Sequence, residues 1–262
     1  SGINSATDLV EGADIKRSHG VGVSATSRRC VSSTSIDAQG THTSRRAHYQ
    51  DSIVAIETNA VNQGKLDIIT WGATDITFRV DVQFAISVRV TWEVIMGPTN
   101  AAIVDVTEPL AIGVQNITTV GFQGDCFYAL SGRLTAIDTG GGDSRLMIGA
   151  ATAVADQWVM LGAGDTASDP MNTAHYGLAG EWLANAAAAV DVVSDRGKFN
   201  GSTATGFDID WLEGNGTSAW LYSVLALKGG GLYKATTVTT RTDATNFSSP
   251  SLGHQPVGQI LV

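Results

Sequence analysis

An all-β fold is what this sequence predicts: two tandem β-sandwich or jelly-roll-like domains, with at most one short helix. Three observations predict it. Apolar and polar residues alternate with period two along several segments, the signature of half-buried strands. Gly, Ser and Thr are plentiful while the helix formers Lys and Glu are few, in a chain whose apolar fraction of 43 % is that of a folded protein. The second half of the chain also restates motifs of the first.

The restatement keeps its order. Ser1-Gly2 matches Ser131-Gly132, Ala47-His48-Tyr49 matches Ala174-His175-Tyr176, and residues 77–81 match 206–210. The apolar run 88–96 matches 219–227, and Gly121-Phe122-Gln123 matches Gly253-His254-Gln255. The drifting offset is what an old duplication with loop insertions leaves behind. Domains are therefore expected at 1–130 and 131–262, each long enough to bury a core.

Residues 1–50 are polar, with short strand-like pieces such as Val21-Gly22-Val23 among turns. Residues 53–56 and 65–71 read as strands. Along 76–82, Ile76, Phe78, Val80 and Val82 share one face while Thr77, Arg79 and Asp81 share the other. Residues 88–96 form a longer apolar strand around Trp92, stopped by Gly97-Pro98. Phe122, Cys126 and Tyr128 alternate in turn. Residues 146–151 and 157–161 read as strands, whereas 180–190, with Glu181, Trp182, Leu183 and a run of alanines, favours a short helix over an Ala-rich strand edge. Residues 207–211 alternate, Glu213-Gly214-Asn215-Gly216 has hairpin-turn chemistry, and 219–227 is the second long apolar strand. Residues 233–240 and 252–262 are strand-like. The chain ends where the first half runs on into Ser131-Gly132. That junction suggests a pair of units excised from a longer repetitive polyprotein, or a circularly cut repeat, with terminal strands that pair with neighbours.

The net charge of −9 gives no basic footprint for nucleic acid. Lys16-Arg17, Arg28-Arg29 and Arg45-Arg46 are the adjacent basic pairs, read as solvated loop charges or subunit contacts. The acidic surplus argues for solubility and against a membrane surface. No signal peptide and no apolar run of transmembrane length is visible. Cys30 and Cys126 are too few for a disulfide framework; whether they bond to each other is left open. Sequons at Asn116, Asn200, Asn215 and Asn246 are what a Ser/Thr-rich chain contains by chance.

Chemistry is sparse. His48 and His175 are the leading candidates, because both copies keep Ala-His-Tyr, but neither has an acidic or cysteine ligand at metal-like spacing. A strand histidine hydrogen-bonded to the backbone of its own repeat is the favoured reading. Asp208, Asp210 and Glu213, Asp165 and Asp169, and the stretch from Asp138 to Asp143 are acidic groups without a calcium-loop pattern. No acid pair is fixed across a cleft for sugar hydrolysis. Gly140-Gly141-Gly142 and Gly229-Gly230-Gly231 read as turns, since no Gly-Lys-Ser/Thr follows, and there is no nucleophile elbow. Trp71, Trp92, Trp158, Trp182, Trp211 and Trp220 are read as packing before sugar stacking. No catalytic, metal or cofactor-binding set is assigned, and no cofactor is expected.

One stretch is more specific. Gly206-Phe207-Asp208-Ile209-Asp210-Trp211, the run from Trp220 to Lys228-Gly229, Thr239-Thr240-Arg241-Thr242 and Leu252-Gly253-His254-Gln255-Pro256 follow one another. This series resembles a structural module of tailed-phage virion proteins. The first copy follows the pattern loosely: Met96-Gly97 stands for Leu227-Lys228-Gly229, and Gly124 for the proline. The resemblance implies a self-assembling virion component, partnered by its own copies and other virion proteins, with no reaction. Duplicated β units without a site suit a tube or shell subunit, because one chain then covers two quasi-equivalent positions. Tail tube is favoured over capsid decoration, since an acidic lumen lets DNA slide without sticking. The alternative is a lectin-like β-sandwich that recognises cell-surface carbohydrate; a secreted hydrolase comes third.

Overall fold

The computed structural model describes residues 15–35, 44–58, 61–85, 88, 90–164, 173–187, 192–214, 216–229 and 233–235. Among these the fold is all-β, with no helix. The first strands are β1 (Ile15–Gly22), β2 (Arg28–Ser35), β3 (Arg45–Tyr49), β4 (Val54–Thr58), β5 (Val61–Trp71) and β6 (Ile76–Val82). Then come β7 (Asn100–Thr107), β8 (Gly113–Ile117), β9 (Cys126–Ser131), β10 (Thr139–Gly142), β11 (Ser144–Ala153) and β12 (Asp156–Gly164). The last are β13 (Thr173–Ala179), β14 (Leu183–Ala186), β15 (Val193–Thr203), β16 (Gly206–Glu213) and β17 (Leu221–Lys228).

They pair into four antiparallel sheets. Sheet I runs β1-β2-β3-β10, sheet II β4-β5-β6, sheet III β13-β12-β11-β9-β17-β7 and sheet IV β14-β15-β16-β8. The sheets stack in the order II, I, III, IV. Between III and IV lies the largest core, centred on Phe127, Trp182, Phe199 and Phe207, whose ring centroids are 5.0–5.9 Å apart. Edge-on contacts predominate, the geometry that ring quadrupoles favour. Between I and III, Val21 and Val31 meet Leu130, Leu146, Ile148, Leu225 and Leu227. Between I and II, Cys30, Ala47 and Tyr49 meet Ala55.

Sheet III is thus apolar on both faces. In β17, Tyr222, Val224 and Ala226 point to sheet IV while Leu225 and Leu227 point to sheet I. A strand buried on both sides reads as a continuous apolar run, which is why 219–227 stands out in the sequence. Strand β2 is covered on both sides too, yet it is spelled Arg-Arg-Cys-Val-Ser-Ser-Thr-Ser. Its last six residues are buried. Small hydroxyl side chains allow close sheet approach there, and the sequence reads as an exposed polar segment.

Four expectations are corrected. Residues 180–190 were expected to favour a helix, but Leu183–Ala186 is strand β14, paired to β15. Every residue from Trp182 to Ala186 is buried, so tertiary packing overrides the helix propensity of alanine. Residues 88–96 are not a strand in the described positions; Trp92, Val94, Ile95 and Met96 are exposed. Period two states what a strand would bury, not whether a sheet edge is offered to it. The Gly140 triplet is not a turn but most of β10, which pairs with β3. Finally, Arg28-Arg29 belongs to β2 rather than to a loop, and Arg45-Arg46 opens β3.

The expected boundary at residue 130 falls inside β9, which pairs with both β11 and β17. The matched segments 47–49 and 174–176 both lie in strands, as do 77–81 and 206–210. The matches at Ser1-Gly2 and Gly253-His254-Gln255, the strand expected at 252–262 and both chain ends lie outside the described residues.

Candidate functional site

Strand β2 turns two adjacent arginines to opposite faces, as period two requires. Arg28 reaches sheet II, where its Nη2 donates to Asp67 Oδ2 at 2.7 Å and its Nε to Oδ1. Arg29 reaches sheet III, where Nε and Nη2 grip Asp105 at 3.0 and 2.5 Å. Both forks are two-pronged, the geometry in which a guanidinium holds a carboxylate best. The basic pair is therefore a clamp through three sheets.

His48 joins the same seam from β3. Its Nε2 lies 2.8 Å from Ser223 Oγ, and Ser223 Oγ donates to Asp105 Oδ1 at 2.6 Å. A serine has one hydrogen. Since Asp105 takes it, His48 must donate from Nε2, which leaves Nδ1 as a bare acceptor. That nitrogen has no partner among the described residues. Burial pushes the imidazole down to about 4, with Arg29 adding to the push and Asp105 opposing it. Serine, histidine and aspartate meet here in the wrong order for nucleophilic attack. A base must receive the serine hydrogen, and here the carboxylate receives it. His48 and Ser223 are also fully buried. The seam holds sheets I and III together.

A second buried polar group closes the sandwich of sheets III and IV. Glu108 follows β7 and shares a hydrogen bond with Asp195 of β15. Tyr222 donates to Glu108 at 3.4 Å and receives Asn185 Nδ2 at 2.5 Å. Desolvation first, and then the Asp195 carboxylate, push Glu108 up to about 9. Two carboxyls forced together in a dry site cannot both ionise, so they hold a proton between them. Neither the sequence nor the repeat points to this pair, because its members stand far apart in the chain.

The remaining candidates are dispersed. His175 lies exposed on edge strand β13, beside Arg17, and the two repeat histidines are not brought together. Asp208 and Asp210 face outward while Phe207, Ile209 and Trp211 point into the core, as alternation predicts. Asp208 binds Asn116, and Glu213 pairs with Arg196 at 3.2 Å. Asp138 accepts from the Gln50 amide at 2.6 Å, and Asp143 lies between Arg46 and Arg145 at 3.7 and 3.6 Å. No group of three metal-ligating side chains occurs among the described residues. Asp165 and Asp169 lie outside them. Cys30 and Cys126 are both free, and burial pushes each thiol up to about 12. No helix among the described residues is long and apolar enough to cross a membrane.

Trp158, Trp182, Trp211 and Trp220 pack in or against the cores, but Trp71 and Trp92 do not. In sheet II, β4 packs most closely on sheet I and β5 touches it through Asp67 and Ile68, while the end of β5 and β6 reach past it. Their apolar side chains Ile69, Trp71 and Val80 are left exposed, Val80 at 53 %. The chain then returns along this arm. The Phe84 ring rests on Gly64, where a Cβ would meet it at 2.1 Å. Trp92 stands edge-on to Phe78, 5.4 Å between centroids, yet is 58 % exposed, and Met96 is 81 % exposed. Among the described residues no backbone hydrogen bond ties 90–98 to any strand. The sequence shows its apolar residues but not their exposure.

No protein-family model matches the chain, and no curated protein or solved structure is significantly similar to it.

Proposed function

We propose that this chain is a structural, self-assembling virion protein of a tailed bacteriophage, without catalysis, in the tail tube rather than as capsid decoration. One observation carries the self-assembly: the apolar arm of Ile69, Trp71 and Val80, continued by Trp92, Val94, Ile95 and Met96, stands in solvent. Exposed apolar surface rimmed by polar residues is the mark of a contact to be made. The virion setting is supported by the module resemblance of the C-terminal half. The tube is supported by the net charge of −9, which suits a wall that DNA passes without binding.

Electron microscopy of the purified protein at rising concentration tests this. Rings, tubes or lattice patches are expected, and their symmetry separates tube from shell. Dispersed monomers at every concentration would overturn the proposal.

A carbohydrate-binding reading is favoured by exposed Trp71 and Trp92, since stacking on sugar needs an accessible aromatic face. Glycan-array binding that disappears in Trp71→Ala or Trp92→Ala would support that reading instead.

A further inference from the structure

We propose that residues 88–96 pair with the same residues of a second copy, antiparallel about a two-fold axis at Thr91; this rests on the self-assembly reading above and names its contact. The segment Val88-Arg89-Val90-Thr91-Trp92-Glu93-Val94 is nearly its own mirror in chemical type. Antiparallel pairing about Thr91 sets Val90 opposite Trp92 and Val88 opposite Val94. It also sets the Arg89 position of each copy opposite the Glu93 position of the other. Opposite charges directly across a strand pair attract, and like charges repel.

Other registers lose this. A slip that changes which residues face each other by one position puts apolar against polar on both faces. A slip that keeps the faces sets Arg89 or Glu93 against Thr91 and forfeits both ion pairs. The polar side of the ribbon would carry Arg89, Thr91 and Glu93. The apolar side would carry Val88, Val90, Trp92 and Val94, the side on which Trp92 already meets Phe78. Exposed Val80 lies two residues from Phe78 on the same face of β6, and exposed Trp71 pairs with Ile76 of that face. A two-fold contact of this kind is self-complementary, as a homodimer interface must be. Among the described residues, no backbone hydrogen bond ties 90–98 to a strand of its own chain.

Sedimentation velocity over a concentration series tests it. Glu93→Arg and Arg89→Glu should each weaken association by about tenfold or more, since two attractive cross-strand pairs become repulsive. The double variant Arg89→Glu/Glu93→Arg should restore it to within about threefold. Thr91→Cys should give a disulfide-linked dimer under mild oxidation, while wild type does not, since burial pushes its own thiols up to about 12. Thr91 is exposed, so the fold should tolerate the change. If wild type self-associates while the charge variants do so unchanged and Thr91→Cys fails to cross-link, this contact is wrong and the self-assembly reading stands. If wild type stays monomeric throughout, both fall.

Discussion

The fold dictates the charge state of Glu108. Pressed against Asp195 in the sandwich, it keeps its proton to about pH 9, against an ordinary value of 4.5. The folded chain therefore binds one more proton than the unfolded chain between those limits. Its contribution to stability is fully present below pH 4.5 and is lost as pH rises through 9. One proton of difference is about tenfold in the folding constant per pH unit. His48 works in the opposite direction, losing stability as pH falls from 6.5 towards about 4. The Glu108 slope is thus cleanest between about pH 7 and 9. Urea midpoints measured across that window should fall with pH in wild type and flatten in Glu108→Gln, which keeps the shape without the titration. A second residue-scale test addresses the seam. Ser223→Ala removes the group that receives His48 and donates to Asp105, leaving a buried N–H unpaired; it should cost about 1–3 kcal/mol in denaturant unfolding.

At the scale of the element, close approach of backbones decides what each strand tolerates. Gly149 of β11 faces sheet IV, and a Cβ there would lie 2.0 Å from the Trp182 carbonyl oxygen. Gly149→Ala should therefore cost about 3 kcal/mol or more, because backbone rather than a movable side chain is in the way. Gly177 on edge strand β13 is the control: a Cβ there meets nothing within 4 Å. Gly177→Ala should be neutral or stabilise by up to about 1 kcal/mol, and the two can be compared by urea denaturation. The same packing explains which elements were legible. Strands β16 and β17 were readable because their apolar residues alternate or run on, and burial enforces that pattern; β6 was readable from its alternation although none of its residues is buried. Strand β14 was not, because alanine is a helix former until a neighbouring sheet buries it. Strand β10 was not, because three glycines carry no apolar signal and are strand only through pairing with β3. The charge clamp of Arg28 and Arg29 was hidden for a different reason: its partners Asp67 and Asp105 are distant in sequence. Of the candidate site, the strand position of His48 was legible from Ala-His-Tyr, but its expected partner, the backbone of its own repeat, is replaced by the Ser223 side chain of the other half, which sheet stacking brings against it.

At the scale of the molecule, sheet III is the shared layer, and that has a consequence for cooperativity. Its face towards sheet I carries Leu130, Leu146, Ile148, Leu225 and Leu227, none of which could stay dry if sheet I came away. The clamp of Arg29 on Asp105 would lose its cation at the same moment, and His48 would leave Ser223. Sheets I and III should therefore melt together, with sheet IV following because it rests on the other face of III. Calorimetry should show one transition. Val31, fully buried between I and III, tests the point. Val31→Asp places an unpaired charge in that layer and should destabilise the fold by about 3 kcal/mol or more. If the layers are coupled, the whole transition moves down as one, and amides of the sandwich between III and IV exchange faster along with those of sheet I. If the endotherm instead splits, and the upper part keeps the wild-type midpoint, then sheets III and IV stand without sheet I and the coupling through III is refuted.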